Sequence, residues 1–142
     1  MSSFYVKQQV WNILDAEWND TRVLDMENKA AEVNADATPW VSPHFVLGTE
    51  EQIGLGPSES RYWRERGSIH LLVAVIARSG WQTADTHAKN LGKLFRARAV
   101  GDDLVFESVS PPQLYTEDET VLGNWSIKFL SVRYTYTYTD PT

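Results

Sequence analysis

An α+β fold, with a mostly antiparallel sheet carrying two α-helices, is predicted by three features of this sequence. Two stretches, residues 3–18 and the Ala-rich segment after Thr83, place apolar side chains at three- and four-residue steps, as amphipathic helices do. The rest is dominated by β-type runs, in the order α, β-rich region, β, α, β, β, with no internal repeat and no regular βαβ alternation. The length of 142 residues and the 42% hydrophobic content suit one domain spanning residues 1–142, since domains of roughly 100–200 residues bury a core without staples.

Taken in order, Val6, Val10, Trp11, Ile13, Leu14 and Trp18 line one face of the first helix, with Ser3 as its N-cap. Residues 19–38 are polar and rich in Ala, Asn and Asp, an irregular connection with a brief strand at Val23-Leu24-Asp25-Met26. Pro39 leads into a β-rich run from Trp40 to Leu47, in which Pro43 lacks a ladder donor and so suits a sheet edge or a bulge; Gly48 ends it. Residues 49–67 mix three glycines and Pro57 with charges and Tyr62-Trp63, the composition of a long hairpin arm or a mobile loop.

Residues 69–78 are apolar on both faces, Ile69, Leu71, Val73, Val75 and Ala77 on one and His70, Leu72, Ala74 and Ile76 on the other, which predicts a central strand. After the Ser79-Gly80 turn, Thr83 caps a second helix with Ala84, Ala88, Leu91 and Phe95 on its apolar face. Asp85 in its first turn and Lys93, Arg96 and Arg98 toward its end complement the helix dipole. Gly101-Asp102-Asp103 turns into a strand over residues 104–109, which Pro111-Pro112 stops, and Glu117-Asp118-Glu119 forms an acidic loop. Gly123-Asn124 opens the last strand, residues 125–139. Its apolar face switches from Trp125, Ile127 and Phe129 to Leu130, Val132, Tyr134, Tyr136 and Tyr138, which signals either a β-bulge or burial on different faces along the strand. A straight strand of that length outreaches a compact chain of this size, so its tyrosine end is expected to bend or to meet another subunit.

Composition narrows the function classes. With no cysteine, disulfide scaffolds and thiol or Cys-ligated metal chemistry are out. The longest strongly apolar run is interrupted by His70 and too short for a bilayer, so no membrane partner is expected. Thirteen Lys and Arg against 19 Asp and Glu give a net charge of −6, which opposes tight binding to a nucleic-acid backbone. Six Trp, six Tyr and five Phe are a generous supply of the residues that anchor protein contacts.

No constellation announces catalysis or a cofactor. His44, His70 and His87 fall in two strands and a helix with no metal-ligand spacing and read as structural or surface histidines. The acidic pairs Glu50-Glu51 and Asp102-Asp103 read as solvated turn charges, and Gly54 and Gly56 as turn glycines without a phosphate-loop lysine. The sharpest local feature is Arg61-Tyr62-Trp63-Arg64-Glu65-Arg66. Strand alternation points Arg61 and Trp63 one way and Tyr62, Arg64 and Arg66 the other, and Arg, Tyr and Trp are the types that dominate interface hot spots. Partner-contact residues are therefore expected at Arg61, Trp63, Arg64 and Arg66, with Tyr134, Tyr136 and Tyr138 forming a second aromatic face.

Several short motifs together resemble a known family. These are Asp25-Met26-Glu27-Asn28, Pro39-Trp40-Val41, the turn at 52–56, Arg64-Glu65-Arg66-Gly67 before an alternating strand, and Ser79-Gly80 before an Ala-rich helix ending Leu94-Phe95. The chain resembles the tail terminator proteins of long-tailed, siphovirus-type bacteriophages across most of its element order. That resemblance implies a structural virion protein, assembled in the host cytoplasm, whose hexameric ring caps the tail tube, ends its polymerisation and offers the head-joining surface. Its implied partners are copies of itself, the tail-tube protein and a head-completion or connector protein, with DNA passing through the lumen without tight binding; no cofactor or chemistry is implied. The rival expectations are another neck or tail structural protein, such as a connector or tube subunit, and a small-ligand-binding α+β module.

Overall fold

The computed structural model describes residues 4–25, 39–46, 48–55, 61–76, 81–114 and 125–140. Ser3, Met26, Leu47, Gly56, Pro57, Ala77, the Ser79-Gly80 turn, the 117–119 acidic loop and the Gly123-Asn124 turn lie outside the described residues.

Helix α1 (Phe4–Glu17) buries Val6, Val10, Ile13 and Leu14, the stripe its spacing predicts. Trp18, just past its end, is buried, and its indole N–H donates to Thr21 Oγ1 at 2.9 Å. The Thr21 hydroxyl in turn donates to the Arg22 carbonyl at 3.0 Å, turning the chain into β1 (Arg22–Val23). Strand β2 (Trp40–Phe45) runs parallel to β1 and antiparallel to β4 (Arg61–Ile76). Its pairing with β1 stops at Val41, so Pro43 sits where no further strand needs its missing N–H among the described residues.

Strand β3 (Thr49–Leu55) pairs antiparallel with the first part of β4, so the described residues of the 49–67 segment form a hairpin arm rather than a mobile loop. Gly48 permits the switch from β2 to β3: a Cβ there would lie 2.5 Å from the carbonyl oxygen of Arg66. Helix α2 (Trp81–Phe95) is followed by β5 (Arg98–Val100), β6 (Leu104–Val109), β7 (Gln113–Leu114) and β8 (Trp125–Asp140). The sheet runs β1-β2-β4-β8-β6-β5, with β3 added to β4 and β7 to β8.

Strands β4 and β8 form the spine. Each is 16 residues long, and they pair antiparallel in one unbroken register from Ile76 opposite Trp125 to Arg61 opposite Asp140. At about 3.3 Å per residue the pair spans roughly 50 Å. The switch of apolar faces along β8 is therefore burial on two faces. The register shift lies instead on the β6 side, between Phe106 and Val109.

Both helices pack on one face. There Ile69, Leu71, Val73, Leu130, Val132 and Tyr134 meet Val10 and Leu14 of α1 and Ala88, Leu91 and Phe95 of α2, with Phe95 edge-on to Phe106 at 5.3 Å. On the opposite face Trp40, Leu72, Ala74 and Ile127 form a second cluster, with Phe129 packed against it. A central strand apolar on both sides is what two cores require.

Local readings of α2 are corrected at both of its ends. The helix starts at Trp81, so Thr83 lies inside it, exposed, and is not its N-cap. Asp85 consequently falls beyond the first turn. Its carboxylate accepts from Lys128 Nζ on β8 at 2.7 Å, fastening the helix to the sheet rather than complementing the dipole. At the other end the helix stops at Phe95, so of the three bases only Lys93 lies in its last turn; Arg96 and Arg98 are past it, and Arg98 donates back to the Leu94 carbonyl at 3.2 Å. Short strands β5 and β7 were not expected, because two- and three-residue strands carry no periodicity of their own.

Candidate functional site

The sheet's most distinctive part is the end built from β3, the first half of β4 and the last third of β8. β6 leaves β8 at Leu104 opposite Tyr136, so past Tyr136 the strand pairing among the described residues is β3–β4–β8. This arm carries the whole Arg61–Arg66 cluster and the Tyr136 and Tyr138 rings.

Register sorts its side chains. Trp63 faces Tyr138, Glu65 faces Tyr136 and Gly67 faces Tyr134, all on the helix face, whereas Arg64 and Arg66 stand opposite Thr137 and Thr135 on the other. Arg61 and Arg66 are exposed. Arg64 is half-buried; its guanidinium donates twice to Glu51 Oε1, at 2.6 and 3.1 Å, across the β3–β4 pair. That hydrogen bond, and then the charge of Arg64, hold the Glu51 carboxyl below its ordinary range. Trp63 is half-buried, and its indole N–H is enclosed with no hydrogen-bond partner among the described residues.

The three tyrosines divide. Tyr134 is 1% exposed and belongs to the core; its hydroxyl donates to the equally buried Glu65 at 2.5 Å, so its expected partner-contact role is corrected to a structural one. Tyr136 and Tyr138 are half-buried and stack, their centroids 5.1 Å apart, and Tyr136 also stacks on Tyr5 of α1 at 4.9 Å. Burial, with the neighbouring Tyr5, Asp103 and Glu65, pushes the Tyr136 phenol above its ordinary pKa. The Tyr138 hydroxyl donates to Glu50 Oε1 at 2.9 Å. Glu50 and Glu51, read as solvated turn charges, thus clamp β3 to the arm; the signal was their spacing from Tyr138 and Arg64, which only the register makes visible.

The residues missed by sequence reasoning are those of the β3 edge itself. Its residues are exposed except Gly54, which is partly covered, and Ile53 and Leu55 are 44% and 72% exposed. On the face away from the helices, Arg66, Ser68, Glu107, Arg133 and Thr135 line an open groove of about 540 Å³. His44 and His70 stand opposite each other on β2 and β4, and His70 lies 4.8 Å from the Phe129 ring. Burial first, and the charge of His44 second, lower the His70 pKa. Among the described residues no three His, Asp or Glu side chains gather as a metal-ligand group, and no helix is long and apolar enough to cross a membrane. Compared with protein-family models and with characterised proteins, the sequence matches none.

Proposed function

We propose that this chain is a structural assembly subunit of the phage tail-terminator type, which self-associates into a hexameric ring, caps the tail tube, ends its polymerisation and presents a head-joining surface. The observation that carries this reading is the three-stranded arm. It extends the sheet past the row where β6 ends and concentrates Arg61, Trp63, Arg64, Arg66, Tyr136 and Tyr138, residue types enriched at protein contacts. The motif resemblance supports the same assignment and supplies its partners: further copies, the tail-tube protein and a connector or head-completion protein. With a net charge of −6 the ring would surround DNA without gripping it.

The test is assembly. Native mass spectrometry of the pure protein should show a closed oligomer, and negative-stain images after mixing with tail tubes should show density on one tube end. A chain that stays monomeric and leaves tube ends bare would sink the reading.

A further inference from the structure

On the sheet face turned away from the helices, the root of the arm carries a polar patch whose layout follows from the β4–β8 register. Arg66 stands opposite Thr135, Gly67 opposite Tyr134, and Ser68 opposite Arg133. Tyr134 points to the helix face and Gly67 has no side chain, so the middle row leaves bare strand backbone on this side. Arg66 and Arg133 occupy two diagonal corners around that floor, and Ser68 and Thr135 the other two. Diagonal neighbours across an antiparallel pair lie about 7–8 Å apart, within reach of long side chains. Both arginines line the same open groove of about 540 Å³.

The charges around this groove do not cancel. Arg66 and Arg133 are exposed and hold no ion pair among the described residues. Arg64, on the same face one step out along β4, is engaged by Glu51, and Arg66 adds only the smallest of the effects on that carboxylate. The acid lining the groove is Glu107 of β6, whose carboxylate already accepts the Thr135 hydroxyl. Two bases against one acid make a positive spot on a chain whose net charge is −6. Ser68 adds a hydroxyl to the same groove.

We propose that this groove is a phosphate-binding site, in which the Arg66 and Arg133 guanidiniums and the Ser68 hydroxyl donate to one phosphate group. Two guanidiniums approaching from opposite corners suit an anion that offers oxygens on several sides. A tetrahedral phosphate does so, whereas a carboxylate offers two oxygens in one plane and satisfies a single fork. Solvent exposure and the neighbouring Glu107 keep the binding weak and reversible. A phosphorylated small molecule and the phosphodiester of a nucleic-acid backbone present the same oxyanion. The site stands apart from self-association, so its failure leaves the assembly reading untouched.

Phosphorus NMR of inorganic phosphate, at constant ionic strength, tests it whatever the oligomeric state. Exchange with the site broadens the phosphate line, and the broadening should saturate as phosphate is raised. Arg66→Gln and Arg133→Gln should each weaken binding about tenfold, the effect of one charge-assisted hydrogen bond, with far-UV dichroism checking the fold. Glu107→Gln removes the opposing charge and should tighten binding roughly threefold, as for an exposed pair. Lys89→Gln, at an exposed base on α2 outside the groove, should change nothing. A DNA duplex that narrows the phosphate line by displacement assigns the phosphodiester source; a duplex without effect assigns the small-molecule source. Broadening that never saturates, that an equal concentration of acetate reverses, or that survives both arginine substitutions overturns the site.

Discussion

The hydroxyl of Tyr134 reaches Glu65 by passing over Gly67. Tyr134 stands directly opposite Gly67 in the β4–β8 register, and a Cβ on that glycine would lie 2.7 Å from the tyrosine oxygen and 3.0 Å from two ring carbons. The bare backbone lets the ring lie flat against the sheet, an aromatic covering a glycine, and so brings its hydroxyl to the carboxylate two residues along. A buried acid is thereby supplied with a donor where the arm leaves the body of the protein.

Tyr134→Phe removes that donor and leaves Glu65 short of one partner in a buried setting. The expected loss is about 1–3 kcal/mol, the cost of leaving a buried polar group short of a hydrogen bond, read from urea unfolding. Gly67→Ala should destabilise by about 1–3 kcal/mol through overpacking against the same ring. A Tyr134→Phe protein as stable as the wild type would show that the contact carries no net weight.

Tyr136 and Tyr138 are expected to behave differently from Tyr134. Replacing both by Ser should keep the far-UV spectrum while weakening the proposed assembly, read as native mass, because both rings are half-buried at the arm. Adding Tyr134→Ser should cost several kcal/mol, about the 3–5 of a core aromatic truncation, and unfold much of the population. If the double variant alone loses its secondary structure, the arm is scaffold rather than surface.

Ala97 has φ 51°, a left-handed conformation, in the turn between α2 and β5. A non-glycine residue there is strained by roughly 1–2 kcal/mol, partly offset by glycine's greater chain entropy when unfolded. Ala97→Gly should therefore raise stability by up to about 1 kcal/mol, visible as a higher urea midpoint. A lowered midpoint would contradict it.

The lowered His70 pKa fixes the sign of one pH effect. Its folded value lies below the unfolded value of about 6.5, so the unfolded chain binds the proton more readily. The contribution of neutral His70 is fully present above the unfolded pKa and is lost as pH falls through it toward the folded one. His70→Phe, which keeps a ring beside Phe129, should flatten the decline in unfolding midpoint between about pH 7 and 5 relative to wild type. Parallel wild-type and variant curves would show that His70 titrates alike in both states.

Much of the architecture was legible because burial imposes a period. Ala84, Ala88, Leu91 and Phe95 announced α2's buried stripe, and the doubly apolar 69–78 run announced a central strand, which among the described residues runs to Ile76; these patterns arise from one-dimensional spacing meeting a face. Thr83 misled because a good capping residue is favoured at an N-terminus without fixing one, and the helix began two residues earlier.

The candidate site was legible in half. The sequence by itself determined which residue types the arm carries, since composition and alternating polarity are local properties, but left the segment as either a hairpin arm or a mobile loop until the β3–β4 pairing decided it. Only the tertiary structure decided that Glu51 meets Arg64, that Glu50 meets Tyr138, and that Tyr134 turns inward while Tyr136 and Tyr138 stay half-exposed. It also decided that β3 and β5, about 50 residues apart, end one row of the same sheet. The reason is physical: an alternating Tyr-Thr strand looks the same along its length, and each ring's fate is set by what the neighbouring strand places opposite it, Gly67 for Tyr134 and Trp63 for Tyr138.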